Sequence, residues 1–322
     1  MSKRCGRDFS LVLLHPRCWA GWLSLGLVFM IALLPTGIRH FIGDSLGIWI
    51  YKNNSKRRNI VRTNLGLAYP DYSESRLDAM TRCSLQWYAR ALIDYSLFLF
   101  ASKKRLANML EIDGKEHIDK ALEQNRNIII FLAHSVMLEF VSAALSLSHY
   151  DCYGSYKSAK NPVFDWMIVR SRCRYVKFVV SRQEGMRKLV KSLLIPGRIM
   201  IFLPDEDLGE KNAVFAPFFG TQKATLTTPA RLARLGKASC LPGFVWYDAN
   251  SHKYRLQIAA PLGIAEQVYP TKDPVENARV LNMALESLIR QHPEQYMWTL
   301  RLFRTRPEGE QTIYLKEPLI ES

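Results

Sequence analysis

Two short apolar runs constrain the fold of this chain more than any other feature of its sequence. Residues 127–133 read NIIIFLA and residues 199–203 read IMIFL. Uninterrupted runs of this length are typical of strands buried on both faces, as in a parallel sheet covered by helices. Helical and extended patterns alternate along most of the remaining chain. The alternation predicts an α/β fold with a largely parallel central sheet flanked by helices.

The same reasoning assigns the individual elements. Helices are predicted over residues 73–101, 118–123, 137–147, 163–172, 184–194, 226–235 and 275–290. Strands are predicted over residues 127–133, 152–156, 176–180, 199–203, 240–247 and 254–258, with a turn at 248–252 between the last two. No repeat or long linker divides this part of the chain. Residues 41–322 are therefore predicted to form a helical region plus a single α/β domain.

The N-terminal 40 residues have a different character. Between Arg17 and Arg39 lie 21 uncharged residues, enough helix to span roughly 30 Å, although Pro35 and Gly37 limit the secure helix to residues 18–34. The run is apolar on all sides rather than striped, and no good signal-cleavage site follows it. Residues 1–40 are predicted to be a membrane anchor. Whether the helix crosses the bilayer or lies in its surface is left open.

The net charge of +15, from 44 Lys+Arg against 29 Asp+Glu, indicates an anionic partner. Nucleic acid, an anionic membrane and an acidic protein or substrate all satisfy that requirement. Residues 45–70 contain no acid and include five basic residues, which marks the cytoplasmic side of a membrane and attracts anionic lipid. The chain has no recognisable nucleic-acid-binding module, and its aromatic residues lie in apolar runs. A nucleic-acid partner is therefore not expected.

The first candidate site follows the first apolar run, because sites in parallel sheets gather beyond the carboxyl ends of strands. His134 comes directly after it and Glu139 five residues later. On a continuous helix the two side chains would point about 140° apart, so the pair requires His134 in the turn and Glu139 at the helix start. A carboxylate so placed fixes the imidazole tautomer and raises its basicity. A structural histidine is the alternative.

The second candidate is a basic stretch over residues 157–177, in which Asp165 is the only acid among six cations. Its arginines, Arg170, Arg172 and Arg174, suit a phosphate or an acidic protein. A solvated helix face is the plain alternative.

The third candidate is the acidic block Asp205-Glu206-Asp207, which follows the second apolar run. Such a block either ligates a metal or forms a turn. The chain lacks a CxxC pair, a G-x-S-x-G elbow, a P-loop and a G-x-G-x-x-G turn. No metal and no cofactor are predicted. A polar-aromatic patch at residues 293–298 has no clear interpretation from the sequence.

Taken in order, the sequence blocks resemble one family, the late acyltransferases of lipid A biosynthesis, which transfer lauroyl or myristoyl chains. The resemblance runs almost the whole chain. It includes HPRCWAGW, RRNIVRTNLGLAYP, HSVMLE, NPVFDW followed by RSRCR, LPDEDLG, FAPFFGTQKATLTTPARLARL and HPEQYMWTLRLFRTRPEGE. No single block is decisive, but the ordered set is specific. The block WTLRLFRTR is more similar to the myristoyl-type branch, because Leu300-Arg301 stands where the lauroyl type has His-Arg.

The resemblance implies a fold like that of glycerolipid acyltransferases and an enzyme of the inner membrane with its catalytic domain on the cytoplasmic side. The implied reaction moves an acyl chain from acyl carrier protein to a hydroxyl of a 3-hydroxyacyl chain on Kdo-lipid A precursor. A related glycolipid acceptor is the first alternative. A non-enzymatic basic protein that binds at a membrane is the distant one.

The resemblance also implies roles for residues of this chain. His134 would be the general base and Glu139 would orient it. Arg172 would stabilise the oxyanion, with Arg170 and Arg174 as neighbours. Two residues of the acidic block, Asp205 and Asp207, would shape the acceptor site.

Overall fold

The computed structural model describes residues 9–156, 158–176, 179–181, 186–263 and 269–314. A seven-stranded sheet has the order β1-β9-β8-β2-β5-β3-β4, and β6 and β7 form a separate hairpin. The strands are β1 Leu110–Asp113, β2 Ile128–Leu132, β3 Asp151–Tyr156, β4 Val179–Ser181, β5 Arg198–Phe202, β6 Ala213–Phe218, β7 Thr221–Leu226, β8 Ser239–Asp248 and β9 Lys253–Ile258. The helices are α1 Trp19–Leu33, α2 Thr36–Asn53, α3 Ser55–Ala68, α4 Glu74–Phe100, α5 Lys103–Ala107, α6 Lys115–Glu123, α7 Phe140–Leu147, α8 Pro162–Arg172, α9 Met186–Leu193, α10 Thr228–Gly236 and α11 Pro274–Ile289.

The central sheet confirms the predicted parallel architecture. Strands β8, β2, β5, β3 and β4 are parallel neighbours, whereas β9 is antiparallel to β8, and β1 pairs with β9 in parallel. Every residue of β2 is fully buried, as the uninterrupted run NIIIFL predicts for a strand covered on both faces. The two strands at one edge therefore run against the rest of a parallel sheet.

Helices α1 to α4 follow one another in the described part of the N-terminal region, and α4 is the longest of them with 27 residues. Its predicted span of 73–101 is confirmed. Helix α2 lies close against α4 because its glycines permit it: a Cβ added at Gly47 would lie 2.4 Å from the Cα of Gln86. Helices α2 and α3 agree with the predicted helical region, although the sequence analysis assigned no bounds to them. Helices α2 and α4 contact β8 and β9: the His40 and Trp87 rings lie 4.9 and 6.1 Å from that of Tyr247, and Tyr254 donates to Asp94.

A buried charged group, here named the Asp94 cluster, joins α2 to α4 and β9. Arg39 Nε donates to Asp94 Oδ1 at 2.8 Å, His40 Nε2 lies 3.0 Å from Oδ2, and the Tyr254 hydroxyl donates to Oδ2 at 2.8 Å. Arg39 and Asp94 are both fully buried. Burial raises the pKa of the Asp94 carboxyl, but His40 and Arg39 outweigh it and hold that pKa below its usual value.

The apolar N-terminal segment forms a helix, α1, close to the predicted residues 18–34. By length and composition alone, the helical segment at residues 16–33 could cross a membrane. One side of α1 packs along the protein: Leu25 and Ala32 are buried, and the Trp22 ring lies 5.8 Å from that of Trp166 in α8. The other side is exposed and consists of Trp19, Leu23, Leu27, Met30 and Leu33. This exposed side is large, apolar and continuous along the helix.

Candidate active site

Two strands that are neighbours in the sheet deliver the central residues of the site. His134 follows β2 and Asp205 follows β5, and β2 pairs with β5 in parallel. From β2 the chain continues to β3, on the far side of β5, and from β5 it continues through the β6–β7 hairpin to β8, on the far side of β2. The connections after β2 and β5 therefore run in opposite directions across the sheet. The carboxyl ends of the strands at such a point border a crevice, which is the usual place for a ligand site in this class of sheet.

His134, Asp205 and Tyr296 make up a group here named the Asp205 cluster. His134 Nδ1 lies 2.5 Å from Asp205 Oδ1, and the His134 backbone N–H donates to Oδ2 at 2.8 Å. The Tyr296 hydroxyl also donates to Oδ2 at 2.8 Å. Asp205 is 1 % exposed and His134 9 % exposed. An imidazole held at Nδ1 turns Nε2 away from the carboxylate, which suits it to exchange a proton there.

The electrostatics of the cluster keep Asp205 ionised. Burial raises the pKa of the Asp205 carboxyl, but the charge of His134 and the hydrogen bonds from His134 and Tyr296 outweigh it, so the pKa lies below its usual value. Burial, and then the charge of Asp205, raise the pKa of Tyr296 well above that of a free phenol. The pair is therefore a carboxylate and a neutral phenol, and the phenol is the donor.

The C-terminal polar-aromatic patch, residues 293–298, is hydrogen-bonded to the backbone around this cluster. The Met297 backbone N–H donates to the His134 carbonyl at 2.8 Å, and the Val136 N–H donates to the Gln295 carbonyl at 3.0 Å. The Gln295 side chain clamps the backbone N–H and carbonyl of Tyr247 at 2.8 and 3.0 Å. The sequence singled out residues 293–298 as a polar-aromatic patch, but no role in the site was assigned to Tyr296 or its neighbours.

Glu139 and Arg172 form a second charged pair. Arg172 Nε donates to Glu139 Oε2 at 2.9 Å, and Arg172 Nη2 donates to Oε1. Burial lowers the pKa of Arg172, but the charge of Glu139 outweighs it and the net shift is upward, so the guanidinium stays charged. The contacts described for the Glu139 carboxylate are thus with Arg172, whereas Asp205 holds His134 Nδ1. Direct orientation of His134 by Glu139 stays a prediction.

Local sequence explains how Arg172 reaches this position. Helix α8 begins at Pro162, and the Asn161 side chain caps it by accepting from the N–H groups of Val163 and Phe164 at 2.9 and 3.3 Å. Asp165 accepts from the Ala159 N–H at 2.8 Å and fixes the approach of the chain. The block NPVFD therefore starts the helix, and Arg172 is its last residue.

A small cavity of about 90 Å³ opens beside this pair. Glu139 and Arg172 are the charged residues of its lining, and the carboxyl-terminal parts of β3 and β5 form one wall. The rest of the lining is mostly apolar: Leu138, Val141, Ser142, Gly154, Ser155, Val176, Ile201 and Leu203. A cavity of this kind fits an alkyl segment next to a polar group.

The other predicted site residues make structural contacts. Asp207 accepts from the Thr305 N–H and hydroxyl, both at 2.7 Å, which ties the acidic loop to the C-terminal segment. Arg174 donates to the carbonyls of Leu99 and Ala101 at the end of α4, at 3.1 and 2.5 Å. Arg170 lies over the Trp166 ring at 5.4 Å. Contact of these residues with substrate stays a prediction.

Within the described ranges, no group of three or more His, Cys, Asp or Glu side chains is arranged to hold a metal. The acidic block contributes Asp205 to an imidazole and Asp207 to a threonine instead. These described carboxylates serve hydrogen bonding in the site.

A largely parallel α/β sheet that presents a buried histidine–carboxylate pair at its strand ends is typical of an enzyme that uses an imidazole base. The sequence comparisons define which one. Residues 7–305 match the family described as bacterial lipid A biosynthesis acyltransferase. The chain belongs to that family, and the resemblance stated from its motifs is confirmed.

Individual relatives cover almost the full length of the chain. A lipid A biosynthesis acyltransferase of Haemophilus influenzae is 32 % identical over 94 % of this chain and 93 % of its own length. The lauroyltransferase of Escherichia coli is 31 % identical over 94 % of this chain and 96 % of its own. The myristoyltransferase of the same organism is 26 % identical over 97 % and 95 %. Identity is higher to the lauroyltransferase, and the myristoyl-type branch stays a prediction.

Proposed function

We propose that this acyltransferase moves an acyl chain from acyl carrier protein to a hydroxyl of a 3-hydroxyacyl chain on Kdo-lipid A precursor. The observation that carries the proposal is the contact of His134 Nδ1 with the buried Asp205 carboxylate, at the carboxyl ends of β2 and β5. The mostly apolar cavity next to Glu139 and Arg172 is a second support. Relatives named for lauroyl and myristoyl transfer support a long-chain acyl donor. The proposed reaction needs no metal or cofactor.

In the proposed reaction His134 is the general base. Its Nε2 accepts the proton of the acceptor hydroxyl as that oxygen forms a bond to the thioester carbon. The carbon–sulfur bond then breaks, and the proton passes from His134 to the departing thiolate. Asp205 stabilises the imidazolium that exists between these steps. Acyl transfer is direct, and no covalent acyl-enzyme forms.

Arg172 is the proposed oxyanion donor. Glu139 engages its Nε and Nη2, and Nη1 is the remaining guanidinium nitrogen. A bidentate carboxylate fixes the plane of a guanidinium, so that the remaining donor is aimed before the reaction begins. In the proposal Glu139 has two roles. It orients His134, as predicted from the sequence, and it also holds Arg172 in place.

Charge-neutral variants separate these two roles of Glu139. If Glu139 acts on His134, the Glu139→Gln variant moves the acid limb of the pH–rate profile to lower pH, as Asp205→Asn does, because removing a negative charge makes the imidazole less basic. If Glu139 acts only through Arg172, the rate falls at every pH and the limb stays in place. The second result would overturn the proposed dyad while leaving His134 as the base.

We further propose that the N-terminal segment anchors the enzyme to the inner membrane, with the α/β domain on the cytoplasmic side. The support is the exposed apolar side of α1 and the basic residues that follow it in α2 and α3. The variant Leu23→Asp/Leu27→Asp should release the protein from membranes into the soluble fraction. The control Lys103→Asp, at the start of α5, should stay bound.

The activity test uses purified protein, a series of acyl carrier protein thioesters and the lipid A precursor, with mass spectrometry of the product. Wild type should add one acyl mass. His134→Asn should reduce transfer by about 10³-fold or more and remain folded. The exposed His149 takes the same substitution as a matched control and should keep full activity.

Other outcomes of this assay are equally informative. Full activity in His134→Asn would contradict the proposed base. Transfer to a different glycolipid, and none to the lipid A precursor, would favour the alternative acceptor. Absence of any acyl transfer together with salt-dependent DNA binding would favour a non-enzymatic basic protein.

A further inference from the structure

Lys223 is a fully buried lysine to which the proposed mechanism assigns no role. It lies in β7 opposite Ala216 of β6 and is 0 % exposed. Its described hydrogen bond is one long contact, from Nζ to the carbonyl of the adjacent Ala224 at 3.4 Å. Nζ also lies 5.7 Å from the centre of the Phe218 ring. A buried ammonium with so few short-range contacts needs charge nearby to be tolerated.

That charge comes from the acidic loop after β5. Burial holds the pKa of Lys223 below its usual value, and the carboxylates of Asp205, Asp207 and Glu206, in that order of strength, partly offset this effect. The residue with the strongest effect, Asp205, is the one that holds His134. Lys223 therefore belongs to the electrostatic surroundings of the Asp205 cluster.

The hairpin that carries Lys223 is also in contact with the cluster through aromatic rings. The Phe218 ring lies 6.4 Å from the Tyr296 ring, and Tyr296 donates to Asp205. The titratable groups that meet here from separate segments are His134 after β2, the three carboxylates after β5, Lys223 in β7, and Tyr296 and Tyr314 near the C-terminus.

We propose that Lys223 is a positioning residue for the acyl transfer, whose ammonium balances the negative charge of the 205–207 loop and so keeps His134 available as a base. The inference rests on the proposed role of His134. A loop with three carboxylates favours the imidazolium form, and an imidazolium cannot accept a proton from the acceptor hydroxyl. A cation held at a distance offsets that effect without competing with His134 for Asp205.

A purely structural lysine would act differently. Its long apolar stem fills space in the hairpin, and methionine supplies nearly the same stem without the charge. A structural role therefore predicts that Lys223→Met changes stability alone. A charge-balancing role predicts a change in the titration of His134.

The test is an NMR titration of histidine-labelled full-length protein, with the His134 signal assigned from His134→Asn. In Lys223→Met the titration midpoint of His134 should move to higher pH by on the order of one unit. The acid limb of kcat/KM should move in the same direction. Lys223→Gln provides a second charge-free variant if the methionine variant does not fold. Lys120→Met, on the exposed side of α6, is the matched control and should change neither measurement.

The two proposals fail in different ways. An unmoved His134 midpoint in both charge-free variants overturns the role of Lys223, and an inactive His134→Asn still upholds the base. Full activity in His134→Asn overturns the base, whatever the NMR titration shows.

Discussion

The Asp94 cluster and the Asp205 cluster use nearly the same parts. Each centres on a buried aspartate that accepts from a tyrosine hydroxyl at 2.8 Å and contacts a histidine nitrogen. They differ in their cation. Arg39 bonds Asp94 directly at 2.8 Å, whereas the described hydrogen bonds of Asp205 involve His134 and Tyr296, and Lys223 is proposed to act on Asp205 without contact.

The difference shows how one set of side chains serves two purposes. The Arg39 guanidinium contacts Asp94 and neutralises its charge, so the cluster is a buried ion pair that joins α2, α4 and β9. In the Asp205 cluster the His134 imidazole, rather than a guanidinium, contacts the carboxylate. The aspartate therefore acts on a group that can gain and lose a proton near neutral pH. Removing corresponding parts should thus affect stability in one cluster and catalysis in the other.

The largest effect on stability should come from Arg39→Met. The substitution leaves Asp94 as a buried carboxylate without its guanidinium, which typically costs about 3–5 kcal/mol. Urea unfolding should show the loss, and acyl transfer per folded molecule should be unchanged. Arg279→Met, which breaks an exposed pair on α11, should leave the unfolding midpoint in place. A rate loss in Arg39→Met without unfolding would remove the distinction between the clusters.

The pH dependence of that stability difference follows from the Asp94 carboxyl. Its pKa in the folded protein is lower than the ordinary 3.8, so its contribution to stability is present above that pH and is lost as the pH falls through the lowered value. The gap between wild type and Arg39→Met should therefore shrink in acid, because protonated Asp94 no longer needs the guanidinium. Urea unfolding between pH 7 and pH 3 measures it. A gap that widened in acid would contradict the assignment.

The smallest effects should come from the two tyrosines. Tyr254→Phe and Tyr296→Phe each remove one hydrogen bond to a carboxylate, which is worth about 1.5–3 kcal/mol. Tyr254→Phe should lower stability only. Tyr296→Phe should also slow acyl transfer about tenfold, because Asp205 loses a donor that helps to hold it against His134. Equal transfer rates in the two variants would show that Tyr296 is merely structural.

Much of the sheet could be predicted because buried parallel strands have a local signature. The run that forms β2 is apolar at every position, as expected of a strand that is buried on both faces. The β6–β7 hairpin was missed. Its turn is Phe219-Gly220, with both residues at positive φ, 51° and 78°, where Asn-Gly is the usual pair. The Phe219 N–H bonds to Glu286 at 2.6 Å, a tertiary contact that supports a conformation phenylalanine rarely adopts.

The candidate site was predictable only in its separate parts. His134 and Asp205 were both expected to matter because each follows a buried strand. Their contact was not expected, since 71 residues separate them in sequence. The order of strands brings them together, and sequence periodicity does not reveal that order. The role of Tyr296 could not be predicted for the same reason, because it enters the site through pairing of the C-terminal segment with the loop at Ser135.

The most direct test of the central claim asks whether His134 and Asp205 act as one unit. Transfer from an acyl carrier protein thioester to the lipid A precursor should be measured for His134→Asn, Asp205→Asn and the double variant. Groups that act together are strongly non-additive, so the double variant should be no slower than His134→Asn alone. Rate losses that multiply in the double variant would contradict a His134–Asp205 catalytic unit.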